Sequence, residues 1–122
     1  MGKIRAAVVG VGYLGRFHAQ KYALLDACEL VAVVDGRAEV RDAVAAEVRS
    51  RAVADYREIL GMVDAVSVVT PTPAHFEIAD AFLAAGAHVL VEKPITETPQ
   101  QARALIATAA KYQRILQVGH LE

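Results

Sequence analysis

The chain is poor in the residues that several common functions require. Tryptophan is absent and aromatic residues make up only 6% of the sequence, too few for the stacking platforms on which proteins hold single-stranded nucleic acids. The single cysteine, Cys28, excludes an internal disulfide and a cysteine-based zinc site. It reads as a small core residue in a reducing cytoplasm. Positive charge is not in excess: 13 Lys and Arg stand against 14 Asp and Glu, which argues against a broad nucleic-acid footprint. No apolar run reaches the roughly 18–20 residues that a membrane span needs. Met1-Gly2-Lys3 leads into an apolar run too short for a secretory signal. The expectation is a cytoplasmic protein with neither a nucleic-acid nor a membrane partner.

What the chain does contain is apolar material, 55% of its 122 residues. That content, at near-zero net charge, excludes disorder and supports one ordinary core. Short β-branched runs at Ile4–Val9, Leu30–Val34, Ala52–Ala54, Ala65–Val69, His88–Val91 and Ile115–Val118 alternate with longer helical patterns. The runs are apolar throughout, as parallel strands covered on both faces must be. Strands alternating with helices form right-handed βαβ units. The expected fold is therefore α/β, a doubly wound parallel sheet of the Rossmann type in strand order 3-2-1-4-5-6. Residues 1–122 read as one dinucleotide-binding domain with no room for a second.

Helix signals are local and specific. Thr98-Pro99-Gln100-Gln101 supplies an N-cap, a first-turn proline and a capping-box glutamine. Ala102, Leu105, Ile106 and Ala109 follow at the spacing of one buried face. Thr72-Pro73 is expected to open a helix that buries Ile78, Ala79, Phe82 and Leu83 and closes at Gly86. Asp55-Tyr56-Arg57-Glu58 reads as a capping box before a short helix that ends near Gly61.

Between the first strand and the first helix stands Gly10-Val11-Gly12-Tyr13-Leu14-Gly15. A G-x-G-x-x-G pattern is weak alone, but strand, helix and an acidic residue ending the next strand are the context that gives it meaning. Gly10 permits a tight turn, Gly12 leaves space for a pyrophosphate, and Gly15 allows close helix–sheet contact. Tyr13 and Leu14 flank the free N–H groups at the helix start, where an anion is favoured. Asp35 suits the adenosine ribose hydroxyls and repels a 2′-phosphate, which favours NAD over NADP. Arg37 pulls the other way, because a guanidinium can pair with that phosphate or stack on adenine. Asp35 as a plain helix cap is the alternative. His18 falls on an internal stripe with Leu14, Tyr22 and Leu25 and reads as a satisfied, half-buried histidine.

Ligands of a doubly wound sheet sit beyond the carboxyl ends of the strands at the switch point. Thr70, Pro71, Thr72 and His75 follow the fourth strand there, and a neutral His75 beside a nicotinamide is one reading; completing the Thr72 cap is the other. Glu92-Lys93-Pro94 follows the fifth strand. Lys93 at that position is a candidate for proton transfer, against the commoner fate of a solvated lysine, and its bond to Pro94 is a candidate for the cis isomer.

Together, Gly10-x-Gly12-x-x-Gly15, Asp35, Thr70-Pro71-x-x-x-His75, Glu92-Lys93-Pro94 and Gln117-Val118-Gly119-His120 resemble the Gfo/Idh/MocA family, end to end and in order. The resemblance implies hydride transfer between a sugar, polyol or nucleotide-sugar carbon and a nicotinamide. Lys93 would contact the substrate hydroxyl, Glu92 would lie near the nicotinamide, and Thr70, Pro71, Thr72 and His75 would line the cofactor. Family members continue into a second α/β domain that supplies substrate contacts and a catalytic histidine, so the chain is expected to be an isolated cofactor domain, inactive alone and prone to self-association. A stand-alone dinucleotide-binding or redox-sensing module uses the same glycine loop and Asp35. An S-adenosylmethionine-dependent methyltransferase also places an acid after the second strand, but leaves Gly15 and Thr70-Pro71 without a role.

Overall fold

The structure, a computed structural model, describes residues 2–119. Expectations that involve His120, Leu121 and Glu122 lie outside the described residues. The elements run β1 (Ile4–Val9), α1 (Tyr13–Leu24), β2 (Cys28–Val34), α2 (Ala38–Val48), β3 (Arg51–Val53), β4 (Ala65–Val68), α3 (His75–Ala84), β5 (His88–Glu92), α4 (Pro99–Lys111) and β6 (Leu116–Gly119). All strand pairings are parallel and the order is β3-β2-β1-β4-β5-β6, as the sequence predicts.

Helices α1 and α2 pack on one face of the sheet, where Val8, Val11, Ala19, Val33, Val44 and Ala45 form a small core. The larger core lies on the opposite face under α3 and α4, centred on Phe82, Leu83, Ile59 and Leu105, all fully buried. Each such side chain stabilises the fold by about 1.5–3 kcal/mol through removal from water. The termini of these helices follow from local chemistry. Thr98 Oγ1 accepts the Gln101 N–H at 3.1 Å, and α3 ends in a Schellman motif, with Gly86 at φ +94° and the Ala87 N–H donating to the Phe82 carbonyl.

Two helices differ from their sequence expectation. Thr72 does not cap α3: Pro71 and Pro73 hold Thr72–Ala74 in a single 3-10 turn, and α3 begins only at His75. Asp55 does cap the expected short helix, a 3-10 turn over Tyr56–Ile59, by accepting the Arg57 N–H. The apolar stripe of α4 is narrower than its sequence suggests. Leu105 and Ala109 are buried but Ile106 is 57% exposed, because α4 has α3 on one side and no helix on the other among the described residues.

Candidate functional site

The pairing register places one residue from every strand in a single row: Val53, Val34, Val9, Val68, Val91 and Val118. Parallel strands share a direction, so whatever follows this row emerges at one edge of the sheet. On successive strands these residues are Ala54-Asp55, Asp35, Gly10, Val69-Thr70, Glu92-Lys93 and Gly119. A cavity of about 420 Å³ opens there, lined among others by Gly10, Gly12, Asp35, Arg37, Thr70 and Pro71. Of the residues singled out in the sequence, these six meet around one space.

The glycine loop is shaped by two close approaches. Gly10 has φ +90° and its backbone packs so tightly that an added β-carbon would stand 2.8 Å from Thr70 N. Gly15 brings α1 down onto the Gly10 carbonyl and is buried there, not at the cavity. Gly12, by contrast, faces only the tip of Arg37, and it is the N-cap of α1 without any side-chain cap. The start of α1 therefore offers uncapped N–H groups beside empty space, the arrangement that receives a phosphate. Tyr13 is 79% exposed and Leu14 half-buried, so neither lines the cavity.

Asp35 accepts four hydrogen bonds at the edge of the cavity. It accepts from the Val11 N–H at 3.1 Å and the Arg37 N–H at 2.9 Å, and from Arg37 Nε and Nη2, each at 3.0 Å. Burial works to raise its pKa, but the hydrogen bonds from Arg37 and Val11 outweigh it and hold the carboxyl below its usual value. It caps no N–H of α2, whose N-cap is Arg37.

His75, expected to line the cofactor, does not line the cavity. It is 2% exposed and lies behind the crevice wall, not in it. Its Nε2 meets the Thr70 carbonyl at 2.7 Å and its Nδ1 the Pro94 carbonyl at 3.0 Å, so the ring ties the loop after β4 to the loop after β5. The late start of α3 turns this side chain inward. Thr72 is half-buried and outside the cavity.

Glu92 turns toward α1. Its Oε1 accepts from His18 Nε2 at 2.8 Å, His18 Nδ1 faces Ser67 Oγ at 3.1 Å, and Ser67 Oγ lies 2.7 Å from the Tyr22 hydroxyl. A neutral imidazole satisfies the whole chain: the tyrosine donates to the serine, the serine to Nδ1, and Nε2–H to the carboxylate. The expected satisfied histidine is thus present, with partners that sequence spacing did not reveal. Lys93 is exposed, forms no ion pair among the described residues, and is joined to Pro94 by a cis peptide bond.

Sequence reasoning missed Asp55, Tyr56 and Arg57 as cavity-lining residues. Their signal was available: Asp55-Tyr56-Arg57 repeats the Asp-x-Arg pattern of Asp35-Gly36-Arg37 at the end of the neighbouring strand.

A glycine loop at the switch point of a doubly wound parallel sheet, with an aspartate ending the second strand, defines a dinucleotide-binding Rossmann domain. The chain belongs to the Gfo/Idh/MocA oxidoreductase family, NAD-binding Rossmann fold, which residues 4–120 match. It is 47% identical over 119 residues to the UDP-N-acetylglucosamine 3-dehydrogenase of Acidithiobacillus ferrooxidans, covering 98% of this chain and 37% of that protein. A solved structure of that dehydrogenase superposes with a TM-score of 0.91 at 48% identity, over 98% of this chain and 39% of the other. Inositol 2-dehydrogenase 3 of Saccharopolyspora erythraea is 34% identical over 122 residues, 97% of this chain and 36% of its own length. GenD2 from gentamicin A biosynthesis, solved in complex with NAD, superposes with a TM-score of 0.92 at 34% identity, over 98% and 35% of the two chains. The chain thus spans a little over a third of the length of the relatives it matches.

The residues present suit a nicotinamide dinucleotide. The space at Gly12 is one that a β-carbon would invade, and Thr70 Oγ1, beside the glycine loop, is the one buried side-chain polar atom without a hydrogen-bond partner among the described residues. No described helix is long and apolar enough to cross a membrane, and no His, Cys, Asp and Glu cluster among the described residues suits a metal ion.

Proposed function

We propose that this chain is the cofactor-binding part of an NAD-dependent dehydrogenase acting on a sugar, polyol or nucleotide sugar in the reducing cytoplasm. The observation that carries the reading is the common level of the strand ends. It puts the glycine loop, Asp35 and the Glu92-Lys93 step on one edge of one sheet. The start of α1 would hold the pyrophosphate at Gly12, and Asp35 would exchange its Arg37 contacts for ribose hydroxyls. The Asp35 carboxyl, held below its usual value, is ionised at neutral pH, and an anion at the ribose favours NAD over NADP. A bound nicotinamide supplies a hydride acceptor or donor. Lys93, exposed two residues past the row of valines, would contact the substrate hydroxyl and take or return its proton. His75, by tying the two loops, and His18, by holding Glu92, would act as positioning residues. Hydride transfer needs the reacting carbons about 3–3.5 Å apart, and the groups that position a sugar would come from sequence beyond the matched third.

The test has two arms. Calorimetric titration of the chain with NADH and NADPH should show binding to NADH and weaker binding to NADPH; the reverse preference would displace Asp35 in favour of Arg37. Joined to the downstream part of the A. ferrooxidans relative, the chain should gain NAD reduction with a nucleotide sugar. Lys93→Ala in that fusion should lower kcat far more than NADH affinity, and equal losses would make Lys93 a cofactor-holding residue instead.

A further inference from the structure

The ends of β2 and β3 carry two copies of one device. In Asp35-Gly36-Arg37 the carboxylate accepts the arginine backbone N–H at 2.9 Å, Nε at 3.0 Å and Nη2 at 3.0 Å. In Asp55-Tyr56-Arg57 the same three contacts measure 2.9, 3.0 and 2.8 Å. Both pairs line the same cavity. The Asp55 bond to the Arg57 backbone N–H caps the 3-10 turn that follows, and the two side-chain contacts are made in addition to that cap.

The chemistry of the pairing decides what such a device offers a ligand. A carboxylate that takes Nε and Nη2 occupies one edge of the guanidinium and cancels most of its charge. The plane is then held in one orientation with both flat faces unused by that bond. Arg37 and Arg57 side chains are 59% and 70% exposed, which leaves at least one flat face of each open to a ligand. Arg57 is braced further, with its guanidinium carbon 5.9 Å over the Tyr56 ring. A charge-cancelled, fixed plane is poorly suited to capture a phosphate and well suited to stack on a flat, uncharged heteroaromatic ring.

The structure assigns Asp55 and Arg57 as the outer wall of the adenine end of the cofactor site, with the Arg57 guanidinium stacking on the purine and Asp55 holding it in plane. This rests on the dinucleotide reading given above. It adds a specificity-determining residue on β3 to those of the glycine loop and β2, and it makes the adenine, not the phosphates, the part of the ligand that Arg57 recognises.

The experiment is a calorimetric titration of the whole chain and of Arg57→Ala, Arg57→Lys and Asp55→Asn with NADH and with ADP-ribose, which keeps the adenine but lacks the nicotinamide. Circular dichroism and thermal melting confirm that each variant is folded, as expected for so exposed a side chain. Arg57→Ala should weaken both ligands by the same factor, about 2- to 5-fold, the size of an exposed cation–π contact. Arg57→Lys should recover little of it, Asp55→Asn should lose a smaller part, and the loss should be nearly independent of salt. Full rescue by lysine, or a loss that fades at high salt, would mean a phosphate contact and would overturn the proposal. So would a loss confined to NADH, or unchanged affinity for both ligands. Failure of the parent chain to bind either ligand would overturn the dinucleotide reading itself, a result distinct from all of these.

Discussion

A β-carbon on residue 15 would lie 1.7 Å from the carbonyl oxygen of Gly10. This contact sets how closely α1 approaches β1, and backbone atoms on both sides leave nothing flexible to yield. Gly15→Ala should therefore destabilise the domain by about 3 kcal/mol or more, the upper range for forcing volume into a packed site. The melting temperature should fall by more than about 10 °C. A melting curve within a few degrees of the parent would show that α1 can lift from the sheet without cost.

Gly12 makes the contrasting case. Its added β-carbon would meet only Arg37 Nη2, at 3.3 Å, the far end of a mobile side chain. Gly12→Val should leave the melting temperature within a few degrees of the parent and abolish NADH binding, because the side chain fills the phosphate space. Retained affinity, measured by calorimetry, would refute the phosphate-loop assignment.

Much of this site was legible in the sequence because its signals are local. Gly10, Gly12 and Gly15 sit in a fixed spacing after an apolar strand, and Asp35 ends the next one. Buried parallel strands are apolar on both faces, so all six runs lie within one or two residues of the strands they predict. The parts that escaped depend on neighbours far apart in the chain. Glu92 and His18 are separated by 74 positions and meet only because β5 and α1 share a face of the sheet. His75 is turned inward by the 3-10 turn that Pro71 and Pro73 impose, a geometry that the usual Thr-Pro helix start does not announce.

Ser67 is the centre of the His18–Tyr22 chain and is fully buried. Ser67→Ala removes the acceptor for the Tyr22 hydroxyl and the donor to His18 Nδ1 at once. The cost should be about 1–3 kcal/mol in chemical denaturation, the penalty for leaving buried polar groups unpaired. Tyr22→Phe should cost less, and the double variant should fall short of the sum by about 0.5 kcal/mol or more. Strict additivity would mean that the two hydroxyls do not share a network.

Asp35 links folding to acidity. Its carboxyl is held below its ordinary value in the folded chain, so the stability it contributes is fully present above the unfolded-state value, about 3.9, and is lost as pH falls through the lower folded value. The difference in stability between the parent and Asp35→Asn should stay constant from neutrality to about pH 5 and narrow below about pH 4. A difference that is unchanged at pH 3 would show that the charge on Asp35 has no part in folding.

Among the described residues strand β6 lies at an edge of the sheet, with one row of backbone groups unpaired, and on the α1 face a hollow opens between α1 and the ends of β5 and β6. The strand itself is less apolar there than its sequence suggests, since Leu116 packs toward the larger core and Gln117 is exposed. The apolar surface comes instead from Ile115, 63% exposed, and from Phe17 and Leu25 of the α1 segment, which with Leu90 and Glu92 flank a hollow of about 310 Å³. An unpaired edge beside exposed apolar side chains favours pairing with a second copy. Sedimentation velocity over a wide concentration range should show a concentration-dependent dimer, and Ile115→Lys, which puts a charge beside the edge, should shift it toward monomer. A strict monomer at every concentration would contradict this, and a dimer indifferent to Ile115→Lys would place the interface on another face.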